Sequence, residues 1–253
     1  MSFLRSTGGS KWSPLSKSKW LSAMKQSQES SLSGAMRVVG RLVDASNATL
    51  LAEIESEKKS QKVIYKPVAG EKPLWDFQDG NLAHREYCAF VLSDQSGFNL
   101  VPNTVLRDGP FGFGMVQEWI ETDEDFDIVS FGQSFDPQLK KMAIFDAVIN
   151  NTDRKFGHLL YRKNRLFGCD HGVTFHSQDK LRTVIWQFAG DPIDPENMQL
   201  LNQAFALDFH SLFQGLLTPV EINAIYARIE LLLANQRFPL PSESWPAIPW
   251  PPV

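Results

Sequence analysis

The sequence predicts an α+β chain of two lobes, an antiparallel sheet lobe over residues 36–120 and a mainly helical lobe over 121–240. Three observations carry that expectation. Short β-prone runs separated by turn residues crowd the first half, with one helical stretch among them. Past the acidic stretch ETDEDFD, helical periodicity takes over. The length of 253 residues and the 43% hydrophobic content suffice for one sizeable core, held in a single large domain or in two lobes.

Residues 1–35 are rich in Ser, Lys and Gln, and apart from Trp12, Trp20 and Leu21 hold few core-forming side chains. They are expected to be a flexible tail or a short docking helix. Arg5, Lys11, Lys17, Lys19 and Lys25, set against Glu29 and accompanied by two Trp, allow weak contact with an anionic membrane surface. A solvated tail is the plainer reading. From Met36, MRVVGRLV, LLAEIES and KVIYKP read as three strands of an antiparallel meander. DASNAT and KKSQ supply the turns between them. After the loop VAGEKPLWDFQDG, the stretch NLAHREYCAFVLSDQSG reads as a helix. Leu82, Tyr87, Phe90 and Val91 fall at helical spacing, and Gly97 closes it. LVPNTVLRD and GMVQEWIET are two further strands around the turn GPFGFG.

In the second lobe, DPQLKKMAIFDAVIN is a helix with Pro137 near its first turn. HLLYRKNRLFGC alternates like two short strands joined by a basic turn. TPVEINAIYARIELLLANQ is the clearest helix. Thr218 and Glu221 have capping-box spacing, Pro219 takes the first helical position, and Ile222, Ile225, Ile229 and Leu232 form an apolar stripe. Residues 241–253 are a Pro-rich tail expected to lie against the body in polyproline-like form.

Composition excludes several classes. A net charge of −4 offers no basic field for nucleic acid. The two cysteines, Cys88 and Cys169, sit in apolar runs and read as reduced core residues, not a disulfide framework. No run approaches the ~18 uncharged apolar residues of a membrane span, and a cytoplasmic location is expected.

The chemistry concentrates in NNTDRKFGHLLYRKNRLFGCDHGVTFH, where Asp153 precedes the expected hairpin and Asp170 follows it. A hairpin returns the chain, so both carboxylates can face one site; as a plain alternative, both cap turns. Phosphoryl transfer needs a Lys to hold phosphate oxygens, a carboxylate to orient that Lys, one Asp for the attacking hydroxyl and one for a metal ion. Lys66 at the end of the third strand, Glu86 in the first helix, Asp153 and Asp170 offer these parts in order.

These two loops resemble the catalytic and metal-binding loops of phosphatidylinositol 3-/4-kinase-like enzymes, the type II phosphatidylinositol 4-kinase branch most of all. PLWDFQDGNLAHRE, LVPNTVLRDGP, NNTDRKFGH and DHGVTFH further resemble stretches shared by a family of bacterial proteins of about this size, over nearly the whole chain after residue 35. The resemblance implies a two-lobed protein-kinase-like fold, use of ATP with Mg²⁺ or Mn²⁺, and a set of roles. Lys66 would hold the ATP phosphates with Glu86 as its partner. Asp153 would be catalytic, and Asp170 would bind metal with Gly172 allowing its turn. Ser46 and Asn47 would lie near the phosphates, and the backbone at Glu118 and Trp119 would meet adenine. Five residues after Asp153, where the resemblance implies a metal-binding Asn, stands His158. It is either a second metal ligand, better suited to softer ions than Mg²⁺, or a brace of the hairpin. The acceptor is an unspecified hydroxyl on a protein, lipid or small molecule. Two alternatives stand beside the kinase. One is a nucleotide-binding pseudokinase acting as an interaction module. The other is a metal-dependent hydrolase using Asp153, His158, Asp170 and His171, which lacks a recognised ligand spacing.

Overall fold

The computed structural model describes residues 32–42, 47–56, 59–123 and 125–253. Nearly all of the tail expected over 1–35, the position of Ser46 and part of the KKSQ turn lie outside the described residues. Residues Gly34–Val253 pack as one unit.

Among the described residues, five strands form an antiparallel sheet in the order β1-β2-β3-β5-β4. The strands are β1 (Ala35–Arg41), β2 (Leu50–Ser56), β3 (Lys59–Pro67), β4 (Thr104–Gly109) and β5 (Gly112–Glu118). The first three are the meander the sequence predicts. The β4–β5 hairpin then folds back so that β5, not β4, pairs with β3, setting Lys66 opposite Met115. Alternation along β3 buries Val63 and Tyr65 on one face and brings Lys66 out on the other.

Helix α1 (Leu82–Gln95) begins where Asn81 accepts a hydrogen bond from the His84 amide. The Glu71 carboxylate accepts two more, from Leu82 and Ala83 at 2.9 Å each, an anion at the positive end of the helix. The apolar stripe expected here is only partly the buried face. Ala83, Arg85, Glu86, Cys88, Ala89, Val91 and Leu92 are buried, while Leu82, Tyr87 and Phe90 are half-exposed. The helix has a sheet on one side and the second lobe on another, so burial runs most of the way round.

The second half is mainly helical. Helix α2 (Ile128–Gly132) is one short turn, and α3 (Pro137–Ile149) is capped by Asp136 with Pro137 at its start. The hairpin β6 (Leu159–Arg162) and β7 (Arg165–Gly168) follows, then α4 (Pro195–Phe205), α5 (Phe209–Leu212) and α6 (Pro219–Asn235). The hairpin turns on Lys163 and Asn164, both with positive φ (49° and 62°), the geometry that suits a two-residue connection. Sequence periodicity singled out α3 and α6 but not α2, α4 or α5. The last two fill in around a core of Phe98, Phe145, Phe175, Phe188, Phe209 and Phe213, all fully buried. Each such side chain contributes about 1.5–3 kcal/mol by leaving water.

Two features fix the site's surroundings. Arg85 of α1 donates to Glu221 of α6 at 2.5 Å and to the Thr174 carbonyl at 2.7 Å, a buried tie between the sheet-side helix and the helical half. The Pro-rich end runs past the Asp153 loop. The Pro252 carbonyl accepts from the Phe156 amide at 2.9 Å, and that of Ala247 accepts from the Thr183 amide and the Trp186 indole at 3.0 and 2.8 Å. No helix among the described residues is long and apolar enough to cross a membrane.

Candidate active site

Lys66 lies where β3, α1 and the loop after β7 converge. Its Nζ is 2.6 Å from Glu86 Oε1 and 2.7 Å from Asp170 Oδ1. Burial works against the ammonium, but Asp170 and Glu86 outweigh it and raise Lys66 above its ordinary value, so it is a fixed cation. The same ammonium holds the Asp170 carboxyl well below the usual carboxylate range. Glu86 is almost wholly buried, and its second oxygen accepts the His171 amide at 2.8 Å. The helix carboxylate thus grips both the lysine and the loop that carries Asp170. Asn47, Ala48, Glu71 and Gly172 line the same narrow cleft.

Asp170 is itself the left-handed residue of its loop, with φ 58°. Asp tolerates this region better than most side chains do. Gly172 lies in the turn that follows Asp170, though the positive φ is at Asp170 and not at the glycine. It is small for another reason: a Cβ at this position would sit 3.2 Å from Leu82 Cβ at the start of α1.

Asp153 is half-buried at the loop between α3 and the hairpin. Its amide donates to Asn151 Oδ1 at 3.0 Å, and its carboxylate lies 3.4 Å from Lys155 Nζ. Burial raises its pKa, offset in part by Lys155. A carboxylate so placed can accept a proton.

The loop is held by a residue the sequence reading passed over. Arg154 is fully buried. It meets Asp146 of α3 through Nε and Nη2 at 2.9–3.2 Å, the Cys169 carbonyl at 3.0 Å and His171 Nε2 at 2.8 Å. An arginine has only donors, so His171 Nε2 is the acceptor and its hydrogen is on Nδ1, which faces Glu86 Oε2 at 3.8 Å. Burial keeps His171 neutral. A polar chain runs Asp146–Arg154–His171 through side chains, passes to Glu86 through the His171 amide, and continues to Lys66 and Asp170. The available signal was an arginine directly after Asp153 with an aspartate on the preceding helix.

The remaining expected residues fall as follows. Ser46 lies outside the described residues. Asn47 is beside the cleft, where its Oδ1 accepts the Lys72 amide at 2.9 Å. Glu118 ends β5 and Trp119 follows it, but their amides already donate to the carbonyls of Asn103 (2.8 Å) and Lys62 (3.2 Å). An adenine edge there must therefore use their carbonyls or later amides. His158 Nε2 is 3.5 Å from Asp170 Oδ2, and burial lowers its pKa to about 4, so the contact is not an ion pair. Its Nδ1 accepts the Lys155 amide at 3.5 Å, which leaves the hydrogen on Nε2, aimed at Asp170. In that tautomer His158 offers no lone pair to a metal from Nε2.

Among the described residues no group of three or more His, Cys, Asp and Glu side chains could hold a metal by itself. Asp170 offers one carboxylate, and Mg²⁺ takes one or two carboxylates from a protein and the rest of its ligands from phosphates and water.

No protein-family model matches the chain. It is 38% identical to Protein Rv2133c of Mycobacterium tuberculosis over an alignment of 257 positions, gaps included, that covers 86% of this chain and 92% of that protein. The chain belongs to the Rv2133c family. In structure it is similar to the Helicobacter pylori proinflammatory kinase CtkA, with a TM-score of 0.51 at 11% identity, over 81% of this chain and 93% of that one. The fold of this Rv2133c-family chain is kinase-like, a sheet lobe followed by helices.

Proposed function

We propose that the chain is an ATP-dependent phosphotransferase of the phosphatidylinositol 3-/4-kinase-like kind, acting on a hydroxyl acceptor. Residues 36–120 form its nucleotide lobe and 121–240 its catalytic lobe. The observation that carries this reading is Lys66 Nζ held at 2.6 and 2.7 Å between Glu86 and Asp170. A fixed cation between a buried carboxylate and a half-exposed one is an arrangement suited to phosphate oxygens, and the kinase-like fold supports it. Lys66 binds the phosphates and Glu86 keeps it in place. Asp170 forms the acidic corner that would receive Mg²⁺ or Mn²⁺, with His158 Nε2 beside it at 3.5 Å. The bound ion would neutralise charge on the phosphates. Asp153 orients the acceptor hydroxyl and takes its proton as the new P–O bond forms and ADP leaves. Asn47 lies on the phosphate side, and the β5 end at Glu118 and Trp119 on the adenine side.

A second reading, a nucleotide-binding module without turnover, draws on His158, whose tautomer leaves Asp170 as the sole protein ligand of this pair.

The test of the first step is nucleotide binding by thermal shift. ATP with Mg²⁺ at about 100-fold excess over its dissociation constant should stabilise the fold by ~2.7 kcal/mol. Lys66→Met should lose most of that shift while the nucleotide-free protein stays folded. A shift unchanged in the variant would remove Lys66 from the site.

A further inference from the structure

Two segments distant in sequence hold the loop that carries Asp153. The first is 182–184. The Arg182 amide donates to the Asn151 carbonyl at 2.9 Å, the Arg154 amide to the Arg182 carbonyl at 3.0 Å, and the Val184 amide to the Arg154 carbonyl at 3.1 Å. These bonds pair Arg154 with Thr183 in parallel, one residue past Asp153. Thr183 turns its own amide the other way, as alternate residues of an extended segment do.

The second segment is the Pro-rich end, Ala247–Pro252, and it takes up what the first leaves. The Ala247 carbonyl accepts from the Thr183 amide at 3.0 Å and from the Trp186 indole at 2.8 Å. The Ile248 carbonyl accepts from Arg182 Nη2 at 3.4 Å, and that of Pro252 from the Phe156 amide at 2.9 Å. The Asp153 loop is thus braced at Arg154 through 182–184 and at Phe156 directly. Pro246, Pro249, Pro251 and Pro252 have no amide hydrogen, so this end meets the body mainly as an acceptor. Their fixed φ also limits the freedom of the loose segment, which lowers the entropic cost of docking it. Pro249 is buried while Ile248, Trp250 and Val253 are exposed, so hydrogen bonds carry much of the attachment.

We propose that Ala247–Pro252 is a positioning strap for Asp153. By holding Phe156 and Thr183 it sets where the carboxylate stands, and so supports turnover but not nucleotide binding. Among the described residues none of its hydrogen bonds goes to Lys66, Glu86 or Asp170. The proposal rests on the phosphotransferase reading of the site.

The experiment cuts the strap from the folded chain. A protease site inserted between Glu243 and Ser244, both exposed, lets the full chain fold first and release residues 244–253 afterwards. ATP turnover is read with water as acceptor, ATP affinity by titration with Mg²⁺, and amide exchange by NMR. On cutting, turnover should fall by about a hundredfold, the cost of a reacting group displaced by about 1 Å, while ATP affinity stays as it was. Exchange at the Phe156 and Thr183 amides should quicken by about tenfold or more, for the loss of one hydrogen bond each. Exchange at the His171 amide, held by Glu86, should not change. An excess of a synthetic peptide of residues 244–253 should restore turnover. In the uncut chain, Trp186→Phe, which takes one donor from the Ala247 carbonyl, should lower turnover severalfold at unchanged ATP affinity. Full turnover after cutting overturns the proposal, as does unchanged exchange at Phe156 and Thr183. So does a loss of ATP affinity that matches the loss of turnover, or a loss that the peptide does not repair, since either marks general damage to the fold. An uncut chain that binds ATP but never turns it over overturns the phosphotransferase reading instead, and exchange at the two amides then decides the strap alone.

Discussion

At the scale of single residues, the site turns on which groups can hold or give up a proton. Asp153 must be ionised to accept one, and burial raises its pKa above the ordinary ~3.9. Turnover should therefore fall as pH drops, along an acid limb centred above the usual carboxylate midpoint. Lys155, 3.4 Å away, holds that limb down, so Lys155→Met should move it further up. A pH–rate profile of the two proteins checks this; an unmoved limb would mean another group sets it. His158 can be decided the same way. If its Nε2 hydrogen orients Asp170, His158→Asn should leave the Mn²⁺/Mg²⁺ activity ratio unchanged. If a metal takes Nε2 instead, the variant should shift that ratio toward Mg²⁺. Lys66, Glu86 and Asp170, which the fold brings into contact, could be singled out because each sits at a marked place: a strand end, a helix face, the flank of a hairpin. The chain that joins them could not. Asp146 and Arg154 read as ordinary polar positions, and His171 as no more than a weak metal ligand, until folding buries all three and joins them to one another.

At the scale of elements, the local signals in α6 are complete. The Thr218 amide donates to Glu221 Oε2 at 2.8 Å, and Thr218 Oγ1 accepts the Glu221 amide at 3.3 Å. Thr218→Ala should cost about 1 kcal/mol, read by denaturant melting. What the sequence could not display is the other use of Glu221. Its ion pair with Arg85 spans most of the chain, and no spacing rule connects the two. The pairing of β3 with β5 was likewise hidden, because alternation fixes faces and not neighbours. That pairing has a consequence at Gly114. A Cβ there would collide with the Lys66 carbonyl and with Pro67 Cα. Both are backbone and cannot swing aside. Gly114→Ala should lower stability and weaken nucleotide binding together, by moving the strand that carries Lys66. Retained ATP affinity in a folded Gly114→Ala protein would contradict the placement. Helix α5 was missed because it is one short turn, held by the packing of Phe209; α4 did carry legible signals, the Asp194 cap, Pro195 at its start and Leu200, Leu201 and Ala204 on its buried face, which the sequence reading passed over.

At the scale of the whole molecule, the two halves meet through the buried Arg85–Glu221 pair, and the helical half holds a buried pair of its own. Arg154 and Asp146 are both fully buried, and removing one partner leaves the other charge without compensation. Arg154→Met should cost about 3–5 kcal/mol and lower the melting temperature by about 10 °C. The lobe order and the alternation of strand and helix were readable from sequence, since both follow from periodicity. The cleft itself arises only when the hairpin, α1 and the sheet close on one another. The central claim is that this cleft divides phosphoryl transfer between two aspartates. The most direct measurement is ATP binding and ATP turnover on Asp153→Asn and Asp170→Asn side by side. Asp153→Asn should bind ATP with Mg²⁺ as the parent does and lose turnover, whereas Asp170→Asn should lose the metal-dependent part of both. Exchanged effects, or two variants indistinguishable from the parent protein, would contradict it.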